Sequence, residues 1–157
     1  MEIFEELVRL LIEKNMTIAS AESCTGGLFA SKIVDVPDAS KVLNASVVTY
    51  SNEAKTKYAN VSPDLIEKYG AVSEEVAMAM AEGIAKEIDA NVGVSFSGIA
   101  GPTGGTAEKP VGTVCIGIYI DGNRECETLH LNENWSRTEI REASAKLMAE
   151  RLVDLLK

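Results

Sequence analysis

MTIASAESCTGGLFASKIV, residues 16–34, runs from a short apolar stretch through a polar, glycine-containing turn into a second apolar stretch. The first apolar stretch has the length of a buried β-strand, whereas the spacing of Leu28 and Ile33 is typical of a helix that packs against a sheet. Pro37 then predicts the end of that helix, because proline cannot continue it. The turn SAESCTGG, residues 20–27, is therefore expected at the carboxyl end of a strand and at the start of a helix.

The sequence on either side of this unit continues the alternation of helices and strands. The patterns predict an amphipathic helix over 1–15, a strand over 41–51, a helix that Ser62 caps and Pro63 begins, a helix over 73–90, a strand over 90–98, a hairpin of 113–120 and 124–132 around Asp121 and Gly122, and a helix over 136–157 that Ser136 and Glu139 cap. Helices that cover both faces of a sheet define a three-layer α/β/α fold. We expect one such domain over 1–157, with a mixed, mostly parallel sheet.

Composition and charge exclude several classes of protein. Of the 157 residues, 46% are hydrophobic and 25% are charged, which is ordinary for a globular domain and unlike a disordered or collagen-like chain. The formal net charge of −9 opposes binding to the phosphate backbone of nucleic acids, so no nucleic-acid partner is expected. The N-terminus has no signal-peptide pattern, and no apolar run approaches the ~18 residues of a membrane span. We therefore expect a cytoplasmic protein without membrane association.

The cysteines and the one histidine give little support for a disulfide framework or a metal site. Cys24, Cys115 and Cys126 form no CxxC pair, and their odd number leaves at least one thiol free, which suits a reducing cytosol. His130 lies in an alternating stretch, where a polar strand position is a better interpretation than a metal ligand. No metal ion or other cofactor is expected.

Three polar segments, residues 20–27, 50–55 and 95–105, each follow a predicted strand. In open α/β sheets, ligand sites collect outside the carboxyl ends of the strands. These segments are therefore expected to form the walls of one pocket. The expectation requires that their three strands be neighbours and run parallel.

Ser23 lies where a serine nucleophile would gain exposure and nearby backbone N–H donors, as in hydrolases with a strand-to-helix elbow. Gly26 and Gly27 would let a substrate approach the backbone closely. The segment lacks the GxSxG pattern, however, and a side chain that caps the helix is a structural explanation for Ser23 or Thr25. From these residues alone, the helix-cap interpretation is favoured.

A serine nucleophile needs a base, and Lys55 is the candidate because the single histidine lies on a distant strand. A lysine can serve as base when burial or positive charge lowers its pKa from about 10.4. Tyr50 lies nearby in sequence as a second proton carrier. Taken alone, a lysine early in a helix is more typical of a solvated surface. Cys24 is an alternative nucleophile, but it has no histidine partner, and it and Ser23 are not expected to face the pocket together.

The glycine-rich segment 97–112 and two arginines offer a way to bind an anion. Backbone N–H groups of such a loop can cradle a phosphate, although the segment matches neither GxxxxGK[ST] nor a GxGxxG that precedes a helix. Arg137 and Arg141 lie four residues apart on one helix face and could supply the charge that a phosphate needs. Ion pairs with Glu139 or Glu142 explain the two arginines equally well.

Five blocks of sequence, in this order and over nearly the whole chain, resemble the CinA C-terminal domain family, which includes nicotinamide mononucleotide (NMN) deamidases. The blocks are AESCTGG at 21–27, VVTYSNEAK at 47–55, YGAVSEEVA at 69–77, SGIAGPTGGTAEKPVGTV at 97–114 and SRTEIREAS at 136–144. The resemblance implies hydrolysis of NMN, a small-molecule nucleotide, to nicotinic acid mononucleotide and ammonia without a metal. It also implies a homo-oligomer, in a stand-alone form that lacks the larger amino-terminal domain of full CinA proteins.

The resemblance also implies the role of each site residue. Ser23 would be the nucleophile, Lys55 the general base, and Tyr50 a positioning or proton-relaying group, so the helix-cap interpretation is replaced. Substrate contacts are implied for Thr25, Gly26, Ser97, Gly98, Gly101 and Gly104, with Arg137 or Arg141 at the phosphate. Backbone N–H groups of residues 23–26 would stabilise the oxyanion. Two alternatives stay open: a nucleotide-binding or partner-binding module without turnover, and an amidohydrolase that acts on another small amide.

Overall fold

The computed structural model describes residues 2–157 and divides them into six α-helices, one 3₁₀ turn and five β-strands. The helices are α1 (Ile3–Glu13), α2 (Leu28–Val34), α3 (Asn52–Ala59), α4 (Pro63–Tyr69), α5 (Glu74–Ile88) and α6 (Arg137–Leu156), and the 3₁₀ turn is Ala39–Lys41. The strands are β1 (Ile18–Glu22), β2 (Val47–Val48), β3 (Val92–Gly98), β4 (Thr113–Ile120) and β5 (Asn123–His130). Within residues 2–157, no helix combines the length and the apolarity needed to cross a bilayer.

The five strands form one sheet in the order β2-β1-β3-β4-β5. β1 pairs in parallel with both β2 and β3, and Ala21 lies opposite Val47 on one side and Ser95 on the other. β4 is antiparallel to β3 and to β5, so four of the five strands run in one direction. The predicted mixed, mostly parallel sheet is confirmed, and so is the hairpin, which turns at Asp121 and Gly122 with positive φ at both residues.

Two hydrophobic clusters lie on opposite faces of the sheet. On one face, Ala19 and Ala21 of β1 pack with α3, α4 and α5 through Met80, Ile84 and their neighbours. On the other face, Ile18 of β1 belongs to a larger cluster that α1, α2 and α6 complete. The alternation of side chains along β1 therefore produces the three layers, as the sequence pattern predicts.

Helix starts are fixed by the polar residues that the sequence indicates. The Ser136 hydroxyl accepts a hydrogen bond from the Glu139 N–H, and the Glu139 carboxylate accepts one from the Ser136 N–H, which completes a capping box on α6. Ser62 caps α4 directly before Pro63. Such caps typically contribute about 1 kcal/mol each. Both predicted helix starts are confirmed.

The strand predicted over residues 41–51 is wrong in length. Only Val47–Val48 forms β2, and Leu43 makes one isolated bridge to Ile18. Between these contacts, the hydroxyl of Ser46 accepts the hydrogen bond of the Ser20 N–H at 3.1 Å. A side chain thus replaces a backbone partner of β1, and the pairing is interrupted at that residue.

Candidate active site

The three segments expected to share a pocket do so, because β2, β1 and β3 are adjacent and parallel and their carboxyl ends meet at one edge of the sheet. A pocket of about 320 Å³ opens at this edge, near the lower end of the range for ligand sites. It is lined by Ser23, Cys24, Tyr50, Gly98, Ile99, Ala100, Thr103, Gly104 and Arg137.

Ser23 and Lys55 come together at this edge. Ser23 directly follows β1, and Lys55 lies in the first turn of α3, where its Nζ is 3.4 Å from the Ser23 Oγ. The Lys55 side chain is only 2% exposed, so the expectation of a solvated surface lysine is wrong. Its Nζ also donates to the carbonyls of Thr49 and Tyr50, at 3.0 and 3.2 Å. All three hydrogen-bond partners of this amine are therefore uncharged.

Burial shifts the Lys55 amine toward its neutral form relative to a solvated lysine. Burial lowers the pKa of the amine from its ordinary value, because a charged ammonium loses its hydration there. A thiolate at Cys24 would act in the opposite direction, but that effect is the smaller one. A neutral amine 3.4 Å from a hydroxyl can accept its proton, which is what a serine nucleophile requires.

Glu22 caps α2 and leaves the Ser23 hydroxyl available to Lys55. The Glu22 side chain is fully buried, and its carboxylate accepts hydrogen bonds from the N–H groups of Phe29 at 2.9 Å and Ala30 at 3.0 Å. It also accepts one from the Ser20 hydroxyl at 2.8 Å. The helix-cap interpretation of Ser23 or Thr25, which the local residues alone favoured, is therefore wrong, since a carboxylate at a helix N-terminus satisfies the same donors and also matches the helix dipole.

Glu22 is the residue of this site that the sequence analysis missed. It precedes the helix by six residues, outside the spacing at which an N-cap side chain is normally sought. The remaining signal was a carboxylate at the end of β1, a strand whose other residues are all buried. An anionic side chain in such a position needs several donors, and a helix start can supply them.

Cys24 is a poor nucleophile in this position. Its side chain belongs to the hydrophobic cluster that α1, α2 and α6 form, and it is only 6% exposed. Burial raises the pKa of the Cys24 thiol to about 11, because a thiolate would be desolvated there. Contrary to expectation, Ser23 and Cys24 both contribute to the pocket wall, but only the Ser23 side chain contacts a candidate base.

The two arginines of α6 have different partners. Arg137 lines the pocket, where it donates to the Gly101 carbonyl at 2.7 Å and to the Tyr50 hydroxyl at 3.0 Å. Arg141 donates instead to the carbonyls of Cys24 and Thr25, at 3.1 and 2.8 Å. The expected ion pairs with glutamates of the same helix are not the explanation for either arginine. Glu139 closes the capping box of α6, and Glu142 pairs with Lys32 at 3.2 Å.

The predicted substrate-contact residues divide into two groups. Gly98 and Gly104 line the pocket, while Gly26 is exposed beside it with a φ of +58°, a conformation that favours glycine. The side chains of Thr25 and Ser97 are buried at 0% and 2% exposure. Substrate contacts by any of these residues remain predictions.

The buried members of this set have identifiable surroundings. The hydroxyl of Ser97 donates to the Ala71 carbonyl at 2.6 Å, so its bond connects β3 to the segment before α5. Thr25 contributes its carbonyl to Arg141, and Gly101 is buried with its carbonyl bonded to Arg137. These residues shape the pocket from outside it.

The backbone donors near Ser23 are fewer than expected. The N–H of Ser23 donates to the Phe96 carbonyl and that of Gly26 donates to the Ser23 carbonyl, both at 3.0 Å. Within residues 2–157, the N–H groups of Cys24 and Thr25 have no backbone acceptor, but the Cys24 N–H hydrogen-bonds its own sulfur, and Thr25 is fully buried. Of the expected oxyanion donors of residues 23–26, the Cys24 N–H is the one that has no backbone acceptor and belongs to a pocket-lining residue.

His130 is exposed at the end of β5, opposite Thr113, which confirms the polar strand position that the alternation predicts. Across residues 2–157, no three His, Cys, Asp or Glu side chains come together in a way that could hold a metal ion.

Fold and site together define a three-layer α/β domain with a serine and a buried lysine in contact at the carboxyl edge of its parallel strands. The family model of the CinA C-terminal domain matches residues 1–156, and the chain belongs to this family. The resemblance stated from five sequence blocks is thereby confirmed.

The curated relatives are longer proteins. The chain is 51% identical over 133 residues to a CinA-like protein of Dictyoglomus turgidum, a match that covers 85% of this chain and 32% of the relative. It is 52% identical over 134 residues to a putative competence-damage inducible protein of Alkaliphilus oremlandii, with the same coverage of 85% and 32%. The chain thus spans about a third of the length of the curated relatives it matches.

Solved structures of similar size share the whole fold. The competence/damage inducible protein CihA from Agrobacterium tumefaciens has a TM-score of 0.92 at 36% identity, covering 100% of this chain and 98% of that one. A CinA superfamily protein from Escherichia coli has a TM-score of 0.92 at 33% identity, covering 98% and 88%. The predicted α/β fold is confirmed by these comparisons as well as by the structure.

Proposed function

We propose that this chain is an amidohydrolase that converts NMN and water to nicotinic acid mononucleotide and ammonia, with Ser23 as nucleophile and Lys55 as general base. The observation that carries the proposal is the 3.4 Å contact between the Ser23 hydroxyl and a lysine amine that is 2% exposed and has only uncharged partners. The identity of the substrate comes from the family resemblance.

In the first half of the reaction, the Ser23 Oγ attacks the carboxamide carbon of NMN and neutral Lys55 takes the hydroxyl proton. The negative charge that develops on the amide oxygen is met by the N–H of Cys24, a pocket-lining residue whose N–H has no backbone acceptor. The ammonium of Lys55 then donates its proton to the amide nitrogen, which leaves as ammonia. An ester between Ser23 and the nicotinoyl group remains.

In the second half, a water molecule attacks the ester carbon while Lys55 again accepts a proton. Collapse of the tetrahedral intermediate breaks the bond to the Ser23 Oγ, and the proton returns from Lys55 to that oxygen. The acid product loses its remaining proton to solvent and leaves as the carboxylate. Both halves use the same base, so a single lysine is sufficient.

Arg137 is the proposed contact for the phosphate of the substrate. It is the cation among the pocket-lining residues, and it is exposed. Its two hydrogen bonds go to uncharged oxygens, so no carboxylate in those bonds neutralises its positive charge. A guanidinium in this state is suited to a phosphate. Tyr50 is oriented by the same guanidinium, through the 3.0 Å bond to its hydroxyl.

Ammonia release from NMN by the purified, metal-stripped protein tests the proposal. Ser23→Ala and Lys55→Ala should each reduce turnover by about 10²–10⁴-fold, the range for loss of a catalytic group. Ser31→Ala on α2 and Lys57→Ala on α3 are matched controls, because both residues are exposed, and they should retain turnover. Near-normal ammonia release by Ser23→Ala would overturn the assignment of the nucleophile.

A second candidate is a nucleotide-binding or partner-binding module without turnover. It is favoured by one observation, that relatives carry the name competence-damage inducible protein, which describes no hydrolysis. A folded parent protein that binds NMN but releases no ammonia would favour this candidate. Release of ammonia from another small amide, but not from NMN, would support the amidohydrolase mechanism and reject NMN as the substrate.

A further inference from the structure

Gly83 lies in the interior of α5, where a glycine weakens a helix relative to alanine. A glycine in such a position usually has a reason in packing. Here the reason is α3, because a Cβ on Gly83 would lie 1.7 Å from the Ala59 carbonyl oxygen and 2.7 Å from the carbonyl carbon. The backbone of α5 therefore meets the backbone at the end of α3 with no side chain between them.

α5 is the fixed partner in this contact, because it is seated closely on the sheet. A Cβ on Gly93 would lie 2.1 Å from the Ala81 carbonyl oxygen. A Cβ on Gly117 would lie 2.3 Å from the Ala77 carbonyl oxygen, which also accepts the hydrogen bond of the Ser95 hydroxyl. In contrast, α3 has only 8 residues and packs mainly against α5. A side chain at position 83 would therefore displace α3 rather than α5.

The face of α3 that meets Gly83 also carries the candidate base. Ala59 and Lys55 are four residues apart, so they share one face of the helix, and both are buried. The Ala59 end of this face rests on Gly83, and one turn earlier the Lys55 amine reaches the Ser23 Oγ at 3.4 Å. The depth at which α3 packs against α5 therefore sets the reach of the amine.

The distances leave little tolerance for a shift of α3. Real Cβ atoms essentially never approach another heavy atom to less than 3.0 Å, so an alanine at position 83 would move the Ala59 carbonyl by about 1.3 Å. The contact of 3.4 Å between Ser23 and Lys55 is already near the upper limit for a hydrogen bond. A shift of this size would break it, and a misplacement of about 1 Å can reduce a reaction rate by ~100-fold.

We propose that Gly83 is a positioning residue for the reaction: the absence of a side chain there lets α3 pack closely enough to hold the Lys55 amine against Ser23. This role rests on the proposed function, because it presupposes that Lys55 takes the proton of Ser23. Gly83 is not among the residues that line the pocket. It is therefore important for the chemical step and unimportant for nucleotide affinity.

The test compares two glycine-to-alanine variants of the full chain. Gly83→Ala places a methyl group against the carbonyl of α3. Gly117→Ala is the matched control, since it places a methyl group against a carbonyl of α5, but from β4, which β3 separates from β1 and Ser23. For each variant, we would measure kcat for NMN, the Kd of nicotinic acid mononucleotide, unfolding in denaturant, and the pKa of Lys55 by NMR.

Gly83→Ala should lower kcat by roughly 10- to 100-fold and leave the product Kd within about threefold of the parent. It should also raise the pKa of Lys55 toward that of a solvated lysine, because the displaced amine loses part of its burial. Gly117→Ala should lose stability as well but keep the kcat and the Lys55 pKa of the parent. Unchanged kcat and Lys55 pKa in Gly83→Ala, or equal changes in the two variants, would overturn the proposal.

A second variant decides the matter if Gly83→Ala does not fold. Ala59→Val enlarges a fully buried side chain of α3 that belongs to the same cluster as Met80 and Ile84 of α5. Overpacking of this kind is usually tolerated with a local shift of the backbone. We expect a kcat lower by roughly 3- to 30-fold and a raised Lys55 pKa. A folded Ala59→Val protein with the kcat and Lys55 pKa of the parent would contradict the role of Gly83.

The titration of Lys55 separates failure of this proposal from failure of the proposed function. If the parent has a lowered Lys55 pKa but releases no ammonia from NMN, the substrate assignment fails. A rise in the Lys55 pKa that is confined to Gly83→Ala would then still support the positioning role, and equal values in Gly83→Ala and Gly117→Ala would refute it. A parent in which Lys55 titrates with the surface lysines overturns both proposals.

Discussion

The cavity beside the antiparallel half of the sheet is larger than the pocket at the parallel half, yet each of its two arginines is already paired with a carboxylate. It measures about 570 Å³ and is lined by residues of β4, β5 and α6. There, Arg151 holds Glu127 through two bonds of 2.9 and 3.0 Å, and Arg124 holds Glu82 through two bonds of 2.8 Å. Each positive charge is neutralised by a carboxylate close to solvent.

The smaller pocket at the parallel half lies beside a lysine and contains an arginine whose hydrogen-bond partners are hydroxyl and carbonyl oxygens. The lysine therefore remains available to react with a ligand, and the positive charge of the arginine remains available to pair with one. The chemistry of the lining residues, and not the volume of the cavity, therefore identifies the candidate site in this fold.

The largest expected effect comes from Lys55→Met, which should strongly reduce turnover without loss of stability. The methionine fills a similar volume, and it removes a buried amine that has no carboxylate partner among its hydrogen bonds. We expect an activity loss of about 10²–10⁴-fold and a free energy of unfolding at pH 7 no lower than that of the parent. Denaturant unfolding and ammonia release from the same preparation check both parts. A variant that is inactive because it is unfolded would contradict the account.

Glu22→Gln should have the next largest effect. The amide keeps one acceptor but places an NH₂ group against one of the donors that the carboxylate now satisfies. We expect a destabilisation of about 1–3 kcal/mol together with reduced turnover, because the start of α2 also fixes Ser23. Glu139→Gln is the matched control, since it alters an exposed capping glutamate and should cost less than about 1 kcal/mol. Equal losses in the two variants would contradict the role given to Glu22.

The pH dependence of stability should reveal the buried lysine. Because burial lowers the pKa of Lys55, the unfolded chain binds more protons than the folded one between the lowered pKa and the ordinary 10.5. The contribution of Lys55 to stability therefore rises as pH increases through this window. The advantage of Lys55→Met over the parent should be greatest at low pH and should shrink toward pH 10, as measured by denaturant unfolding at each pH. An advantage independent of pH would show that Lys55 titrates like a solvated lysine.

The smallest effect is expected from Arg151→Met. The Arg151–Glu127 pair lies at partly exposed side chains, where solvent screens the interaction, and it lowers the pKa of the Glu127 carboxyl through its hydrogen bond. We expect a change in stability of at most about 1 kcal/mol and no change in turnover. A large loss of activity would mean that the antiparallel half contributes to the chemistry, which would remove the contrast between the two halves.

Much of the fold follows from local sequence signals. Ser136 and Glu139 predicted a capping box, Ser62 and Pro63 predicted a helix start, and Asp121 with Gly122 predicted the hairpin turn. Each depends on residues at most a few positions apart, so the signal is complete within the sequence. The strand predicted over 41–51 was too long because the hydroxyl of Ser46 accepts the hydrogen bond of the Ser20 N–H, which regular strand pairing would use. This bond joins segments that are distant in the sequence.

The site was only partly predictable for the same reason. The order of strands and loops was enough to bring Ser23 and Lys55 to one edge, but the burial of Lys55 depends on the tertiary placement of α3, which packs mainly against α5. The cap by Glu22 reaches across the turn to Phe29 and Ala30, and the bonds of Arg141 span 116 and 117 residues. Tertiary contacts of this kind leave no periodic pattern in the sequence.

The most direct test of the central claim is an NMR titration of the lysine side chains, with Lys55→Met used to assign the resonance of Lys55. We expect Lys55 to titrate clearly below the other lysines of the chain, because its amine is buried among uncharged partners beside Ser23. If Lys55 titrates together with the surface lysines, the amine is not available as a base near neutral pH, and the serine–lysine mechanism is contradicted.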